Sequence, residues 1–235
     1  MEIMRKQIIL FFLVALSYNL YGIRIKYRVT SMKLNVAEIE MELNDSHISV
    51  AVKSRIKVPL FPSIDNRYEI IHDGDFRPLH YTRIVNQAEL TDSVYTRYHL
   101  GSATMHQSSN SKSINYKVRA DTRDVFSLLA KISDDVNAGG TYYADGNGRL
   151  WQVKVSGPQT ERISTALGKQ TARRHDFTFQ PLSPVKAPYI DMITFNFLDP
   201  DTRLTLWVSV NGVPLKAHLK KGLMSMNWDI QSVGP

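Results

Sequence analysis

Apolar and polar side chains alternate residue by residue along most of this chain. Ile23, Ile25, Tyr27 and Val29 interleave with Arg24, Lys26 and Arg28, and Ile39, Met41 and Leu43 interleave with Glu38, Glu40 and Glu42. Successive side chains of a strand point to opposite faces, so each stretch reads as a half-buried strand with one wet face. Ile48, Val50, Val52 and Ile56 make a third strand after the turn at Asn44-Asp45-Ser46. Pro59 and Pro62 then interrupt the pattern. Pro cannot donate to a ladder, so residues 58–65 read as a loop or short helical turn. Residues 67–71 and 76–85 flank His72-Asp73-Gly74-Asp75, and an Asp-Gly between alternating stretches signals a hairpin. Residues 94–100 and 114–118 continue the pattern on either side of a polar tip at 108–113.

One segment departs from the two-residue period. Asp121-Thr122-Arg123-Asp124 reads as a helix start, with Asp121 accepting from the free amides of the first turn and Asp124 adding negative charge beside the positive end of the dipole. Val125, Phe126, Leu128, Leu129 and Ile132 have the spacing of one buried stripe, and Ser133-Asp134-Asp135 with Gly139-Gly140 end it. Strands resume over 140–143, over 151–155 after the Asp145-Gly146-Asn147-Gly148 turn, and over 168–179. Pro181, Pro184 and Pro188 mark an irregular connection, after which 193–198, 204–210, 215–219 and 223–230 read as closing strands. About a dozen strands and one helix predict a mainly β fold: a large curved antiparallel sheet, or open half-barrel, with one amphipathic helix packed against it. A two-sheet sandwich is the alternative.

The first 22 residues read as an export signal. Arg5 and Lys6 precede an unbroken apolar run from Ile8 to Leu16, too short to serve as a membrane-spanning anchor. Cleavage is expected after Ser17, with Ala15 two positions upstream, or after Gly22; an uncleaved anchor is the alternative. No Cys follows the run, so the expectation is a periplasmic protein without lipid attachment. The chain has no cysteine, hence no disulfide framework, and must rely on burial for stability. With no long Pro/Gly/Ser-rich linker, residues 23–235 are expected to form a single β-rich domain. A formal charge of +7 suits contact with an anionic membrane surface. The basic residues are nevertheless scattered on alternating positions, and Glu38, Glu40 and Glu42 form an acidic row, so a solvated sheet face is the simpler reading. No basic run interleaved with aromatics appears, which argues against a nucleic-acid partner.

Candidate chemistry is sparse. The histidines at 47, 72, 80, 99, 106, 175 and 218 are dispersed, without the spacing of a zinc site, and no metal or cofactor is expected. His72, Asp73 and Asp75 sit together at a hairpin tip where a cation is conceivable, but an Asx-rich turn explains them more simply. Asp145-Gly146-Asn147-Gly148 lacks the distal carboxylate of a calcium loop. There is no Gly-x-Ser-x-Gly elbow, and Ser127 falls inside the helix, where its hydroxyl can bond back to the preceding turn. No catalytic residue is assigned, and a non-enzymatic role is expected. What remains is the apolar face. A curved sheet covered by a single helix leaves concave apolar surface, the usual setting for fatty or isoprenoid ligands. Its candidate lining is Phe126, Leu129, Trp151, Phe177, Phe195, Phe197, Trp207 and Trp228, with the helix as a lid; plain packed core is the alternative for each.

The helix Asp121-Thr122-Arg123-Asp124-Val125-Phe126-Ser127-Leu128-Leu129-Ala130-Lys131-Ile132, the segment Leu204-Thr205-Leu206-Trp207-Val208-Ser209, and Val213-Pro214-Leu215-Lys216-Ala217 with Gly222 beyond it together resemble a bacterial exported family, domain of unknown function 3108. Tyr27, Asp124, Ser127, Trp207, Pro214 and Gly222 take the places of its Tyr-bearing strand, Asp-x-x-Ser-x-Leu helix, Trp strand, Pro and last Gly-marked strand. One departure is Ala37 in Val36-Ala37-Glu38, where that family often has a Gly suited to a bulge. The resemblance implies a β-rich half-open barrel akin to periplasmic lipoprotein and lipid carriers, with no agreed activity. The expectation is an exported protein that binds or carries an apolar or amphipathic, lipid-like ligand. A structural or assembly factor for an envelope protein partner is the alternative, and a hydrolase with carboxylates paired in space is the more distant one.

Overall fold

The computed structural model describes residues 22–55, 63–184 and 186–235. The expected export segment up to residue 21, Ile56, and Pro59 and Pro62 lie outside them. In chain order the elements are β1 (Ile23–Ser31), β2 (Leu34–Leu43), β3 (His47–Ser54), β4 (Asp65–His72), β5 (Pro78–Gln87), β6 (Leu90–His99), β7 (Ser102–Gln107), β8 (Lys112–Lys117), β9 (Thr122–Arg123), helix α1 (Val125–Asp134), β10 (Gly140–Asp145), β11 (Leu150–Val155), β12 (Gln159–Thr165), β13 (Gly168–Pro181), helix α2 (Met192–Phe197), β14 (Thr202–Ser209), β15 (Pro214–Lys221) and β16 (Met224–Gly234).

These strands form one sheet in the order β8-β7-β6-β5-β4-β3-β2-β1-β16-β15-β14-β13-β11-β10-β9, with β12 paired to the first half of β13. Every pairing is antiparallel except that of β9 with β10. The two edges, β8 and β9, are consecutive in the chain. Lys117 to Thr122 reaches at most ~18 Å, so the sheet curls until its edges nearly meet without pairing. The fold is the expected open half-barrel.

Bulges supply part of the curl, since an extra residue bends its strand and increases local twist. Register slips occur at Lys26/Tyr27, Ile71/His72 and Trp207/Val208. Another lies where the family resemblance anticipates Gly: Val29 faces Ala37 while Thr30 faces Asn35, leaving Val36 as the extra residue. The bulge forms with Ala37 in place, in backbone of ordinary negative φ.

The wet face accounts for the acidic row. Arg24, Lys26 and Arg28 of β1 stand opposite Glu42, Glu40 and Glu38 of β2. Arg24 pairs with Glu42, Lys26 lies 3.5 Å from Glu40, and Arg55 reaches Glu38. Glu38, Glu40 and Glu42 are thus one side of a cross-strand charge ladder, exposed and individually weak.

The opposite face is the concave interior, and α1 lies within it. Its N-cap is Asp124 rather than Asp121: the Asp124 carboxylate accepts from the amides of Phe126 (2.9 Å) and Ser127 (3.1 Å), while Asp121 binds the exposed Arg119. The Ser127 hydroxyl donates to the second oxygen of Asp124 instead of bonding back along the helix. Eight of the ten residues of α1 are buried, so this helix is core and not a lid. Residues 193–198, expected as a strand, belong largely to α2. The reason is local: Asp191 accepts from the amides of Ile193 (2.9 Å) and Thr194 (2.8 Å) and from the Thr194 hydroxyl (2.6 Å), the same device that starts α1. β7, β12 and the two-residue β9, which falls within the expected helix start, are additional strands; β12 carries almost no apolar face, so alternation does not reveal it.

Candidate functional site

The concave interior divides into an apolar half and a polar half. In the apolar half, β1, β2, β3, β16 and α2 enclose a cavity of about 310 Å³. Val29, Val36, Ala37 and Ile39 form one wall, Met192, Ile193 and Phe197 of α2 the facing one, and Met224, Met226 and Trp228 of β16 the side. Its polar lining residues are already partnered: the Ser31 hydroxyl donates to the Ser225 carbonyl (3.0 Å) and the Asn196 amide to the Met192 carbonyl (2.7 Å). A mostly apolar cavity whose few polar groups are already partnered does not hold water well. A second, deeper void of about 40 Å³ adjoins it, reaching Tyr27, Phe126 and Leu129 and sharing Ile39, Val52, Ile193, Phe197 and Trp228 with the larger one. The Tyr27 hydroxyl donates to the Pro214 carbonyl (2.8 Å), and burial pushes its pKa up, so it stays neutral.

The eight candidate lining residues are distributed unevenly. Phe126, Leu129, Phe197 and Trp228 come together around the two voids, with the Phe197 and Trp228 rings 5.0 Å apart. Trp151 and Phe195 line a separate cleft of about 170 Å³ with Asn147, Arg149 and Thr194, on the other side of α2. Phe177 is fully buried in the sheet between Val155 and Leu204 and is not among the lining of these three spaces. Trp207 alternates with the inward Leu206 and Val208, which puts it on the outer face, where its indole donates to Glu161. The cavity residues missed by the aromatic criterion include Val36, Ala37, Met192, Met224 and Met226. Met224, Met226 and Trp228 recur at intervals of two on one strand, a legible signal for one shared face.

The polar half is a buried seam that joins the two ends of the sheet. Arg83 of β5 is 2% exposed and donates to Asn147, to Thr96 (3.4 Å) and to the Met105 sulfur (3.3 Å). Among the described residues its Nε and the Tyr81 hydroxyl have no hydrogen-bond partner, and its guanidinium lies 4.8 Å from the Tyr81 ring centre. Burial works against its charge, but Tyr81, Asp191 and Asp145 outweigh it and keep Arg83 ionised. Asp145 accepts from Tyr98 (2.8 Å), Tyr116 (2.5 Å) and the Gly148 amide (2.9 Å); Asp191 accepts from Tyr68 (3.0 Å). Burial and the neighbouring carboxylates push these tyrosines up. Burial also raises the Asp124 carboxyl, against the Ser127 hydroxyl and the two amides that favour its ionised form. Each of the three carboxylates holds a helix start or a turn, so the arrangement ties chain segments together rather than poising an acid against a base.

The hairpin tip of His72, Asp73 and Asp75 is an Asx-type turn: Asp73 accepts from the amides of Asp75 and Arg77, both at 2.9 Å. Asp75 turns instead to α1 and its approach, reaching Arg123 (2.7 Å) and Lys131 (2.8 Å).

A curled sheet with open edges, a helix inside it and an apolar void defines the class of β-barrel-like folds. A solved structure with this architecture is the beta-barrel-like protein of domain of unknown function DUF1849 from Brucella abortus, 13% identical, covering 92% of this chain and 98% of that chain, with a TM-score of 0.60. Weaker similarity extends to a protein from Bacteroides fragilis named as exported with a YmcC-like fold (8% identical, 92% and 97% covered, TM-score 0.39) and to one from Parabacteroides distasonis named as a lipoprotein (9%, 92% and 96%, TM-score 0.31). No family model and no curated protein matches the chain.

Proposed function

We propose that this is an exported, non-enzymatic protein of the periplasm or envelope that binds an apolar or amphipathic, lipid-like ligand in its half-barrel. The observation that carries the reading is the 310 Å³ apolar cavity between β1–β3, β16 and α2, whose few polar atoms are already satisfied. Ligand sites start at about 300 Å³ and are mostly apolar with few polar groups. The bipartite interior suits an amphipathic guest, its chain in the apolar half and its head toward the polar seam or the mouth. The N-terminal basic and apolar run, read as a signal cleaved after Ser17 or Gly22 with no Cys for lipid attachment, supports export. The quoted helix, Trp-strand and Pro motifs support kinship with the domain of unknown function 3108 family, with residues 23–235 as one domain.

Native mass spectrometry of protein purified from its own envelope, together with titration of a fluorescent fatty acid, tests the reading. A co-purifying lipid mass or saturable uptake is expected. Repeated absence of both would reduce the protein to an exported β scaffold.

A further inference from the structure

We infer that the cavity mouth docks onto an anionic phospholipid bilayer through two neighbouring hairpin tips, β1–β2 and β15–β16. β1 and β16 are adjacent and antiparallel, with Ser31 opposite Met226, so both two-residue turns emerge from the same end of the sheet. Each carries an apolar residue into solvent: Met32 is 76% exposed and Leu223 fully so. The same two residues form the outermost lining of the 310 Å³ cavity. The exposed apolar surface is therefore continuous with the interior.

The β1–β2 turn is locally unfavourable. Met32 and Lys33 occupy its two central positions at φ 48° and 65°, where turns of this kind prefer Asn-Gly because other side chains are strained. Both residues are exposed, and strain persisting at an exposed site points to function. Charge completes the match. Lys33 and Lys220 have no ion-pair partner among the described residues, and Lys220 stands directly opposite Arg203 across β14 and β15, a like-charge pair that an anionic surface would relieve. The nearby acids are Asp199, paired with Lys221 (2.9 Å), and the exposed Asp201. Apolar residues flanked by lysines at an exposed tip suit insertion into a headgroup layer, with attraction to anionic lipid added to apolar burial. The inference rests on the carrier reading only for its purpose, exchange of a ligand between bilayer and cavity; docking stands on the tips alone.

Flotation of the full exported chain with vesicles of equal parts phosphatidylcholine and phosphatidylglycerol, against pure phosphatidylcholine, tests it. Wild-type protein is expected to float with the anionic vesicles, less so at high salt. Met32→Ser with Leu223→Ser should weaken binding at least ~10-fold, with far-UV circular dichroism unchanged. Lys33→Gln with Lys220→Gln should weaken it by about fivefold per charge, which keeps the inference testable if the first variant misfolds. Equal flotation with both vesicle types, or no loss in either variant, overturns it, as does a wild-type chain that binds only a protein partner. Docking without fatty-acid uptake would remove the carrier reading and leave this inference standing; uptake without docking would do the reverse.

Discussion

Asp124 shows how much a single side chain can organise. It is fully buried, yet its oxygens receive two backbone amides and the Ser127 hydroxyl, so two free donors of the first turn of α1 are satisfied inside the core. Asp124→Ala removes a cap and leaves those donors buried without partners. It should lower unfolding free energy by about 2 to 4 kcal/mol in urea melts, with Asp124→Asn, which keeps one acceptor, losing less. Asp75 acts from the surface. Burial works to raise its carboxyl, but the Lys131 hydrogen bond and the Arg123 and Lys131 charges outweigh this and hold it below its ordinary 3.8. With a depressed folded value, the unfolded chain takes up the proton first as pH falls, so the contribution is present above 3.8 and is lost below it. Asp75→Asn should therefore flatten the acid limb of a stability-versus-pH curve while lowering stability at neutral pH.

At the scale of elements, α2 decides the shape of the site. As a strand, Phe195 and Phe197 would share a face. As a helix they diverge, Phe197 into the apolar cavity and Phe195 into the cleft beside Trp151. The Asp191-x-x-Thr194 start repeats Asp124-x-x-Ser127, so a capping signal was present; a six-residue segment with apolar residues at mixed spacing is ambiguous by period, and the flanking prolines obscured it. The β2 bulge is the facing wall. Ala37 is buried there but borders open space, so Ala37→Phe should fill the cavity for less than ~1.5 kcal/mol of stability while reducing fatty-acid uptake at least ~10-fold. A large loss of stability with uptake intact would mean that the space is not the ligand site.

For the molecule as a whole, an open sheet has two edges to manage. β8 presents alternating exposed Lys112, Ser113, Asn115 and Lys117, and lysines on an edge disfavour pairing with another copy. Lys112→Val with Lys117→Val should shift the protein toward dimers and higher species in size-exclusion chromatography, without changing its far-UV spectrum. The other device is the polar seam, in which Arg83 from β5 bonds Asn147 beyond β10, and Tyr98 and Tyr116 from β6 and β8 reach Asp145. These contacts bridge the two ends of the sheet where no ladder does.

Strand content, the alternating basic row of β1 and acidic row of β2, and the presence of α1 could be read along the chain because each depends on neighbours two to four positions apart. The two-residue period over Leu206, Trp207 and Val208 also carries the outward placement of Trp207, against the expectation that it lines the cavity. A void has no such local signature. It is the volume left over when Val36 and Ala37 of a bulge, Ile193 and Phe197 of a short helix, and Met226 and Trp228 of the last strand are brought together. Packing of distant segments creates that difference, and no periodicity encodes it.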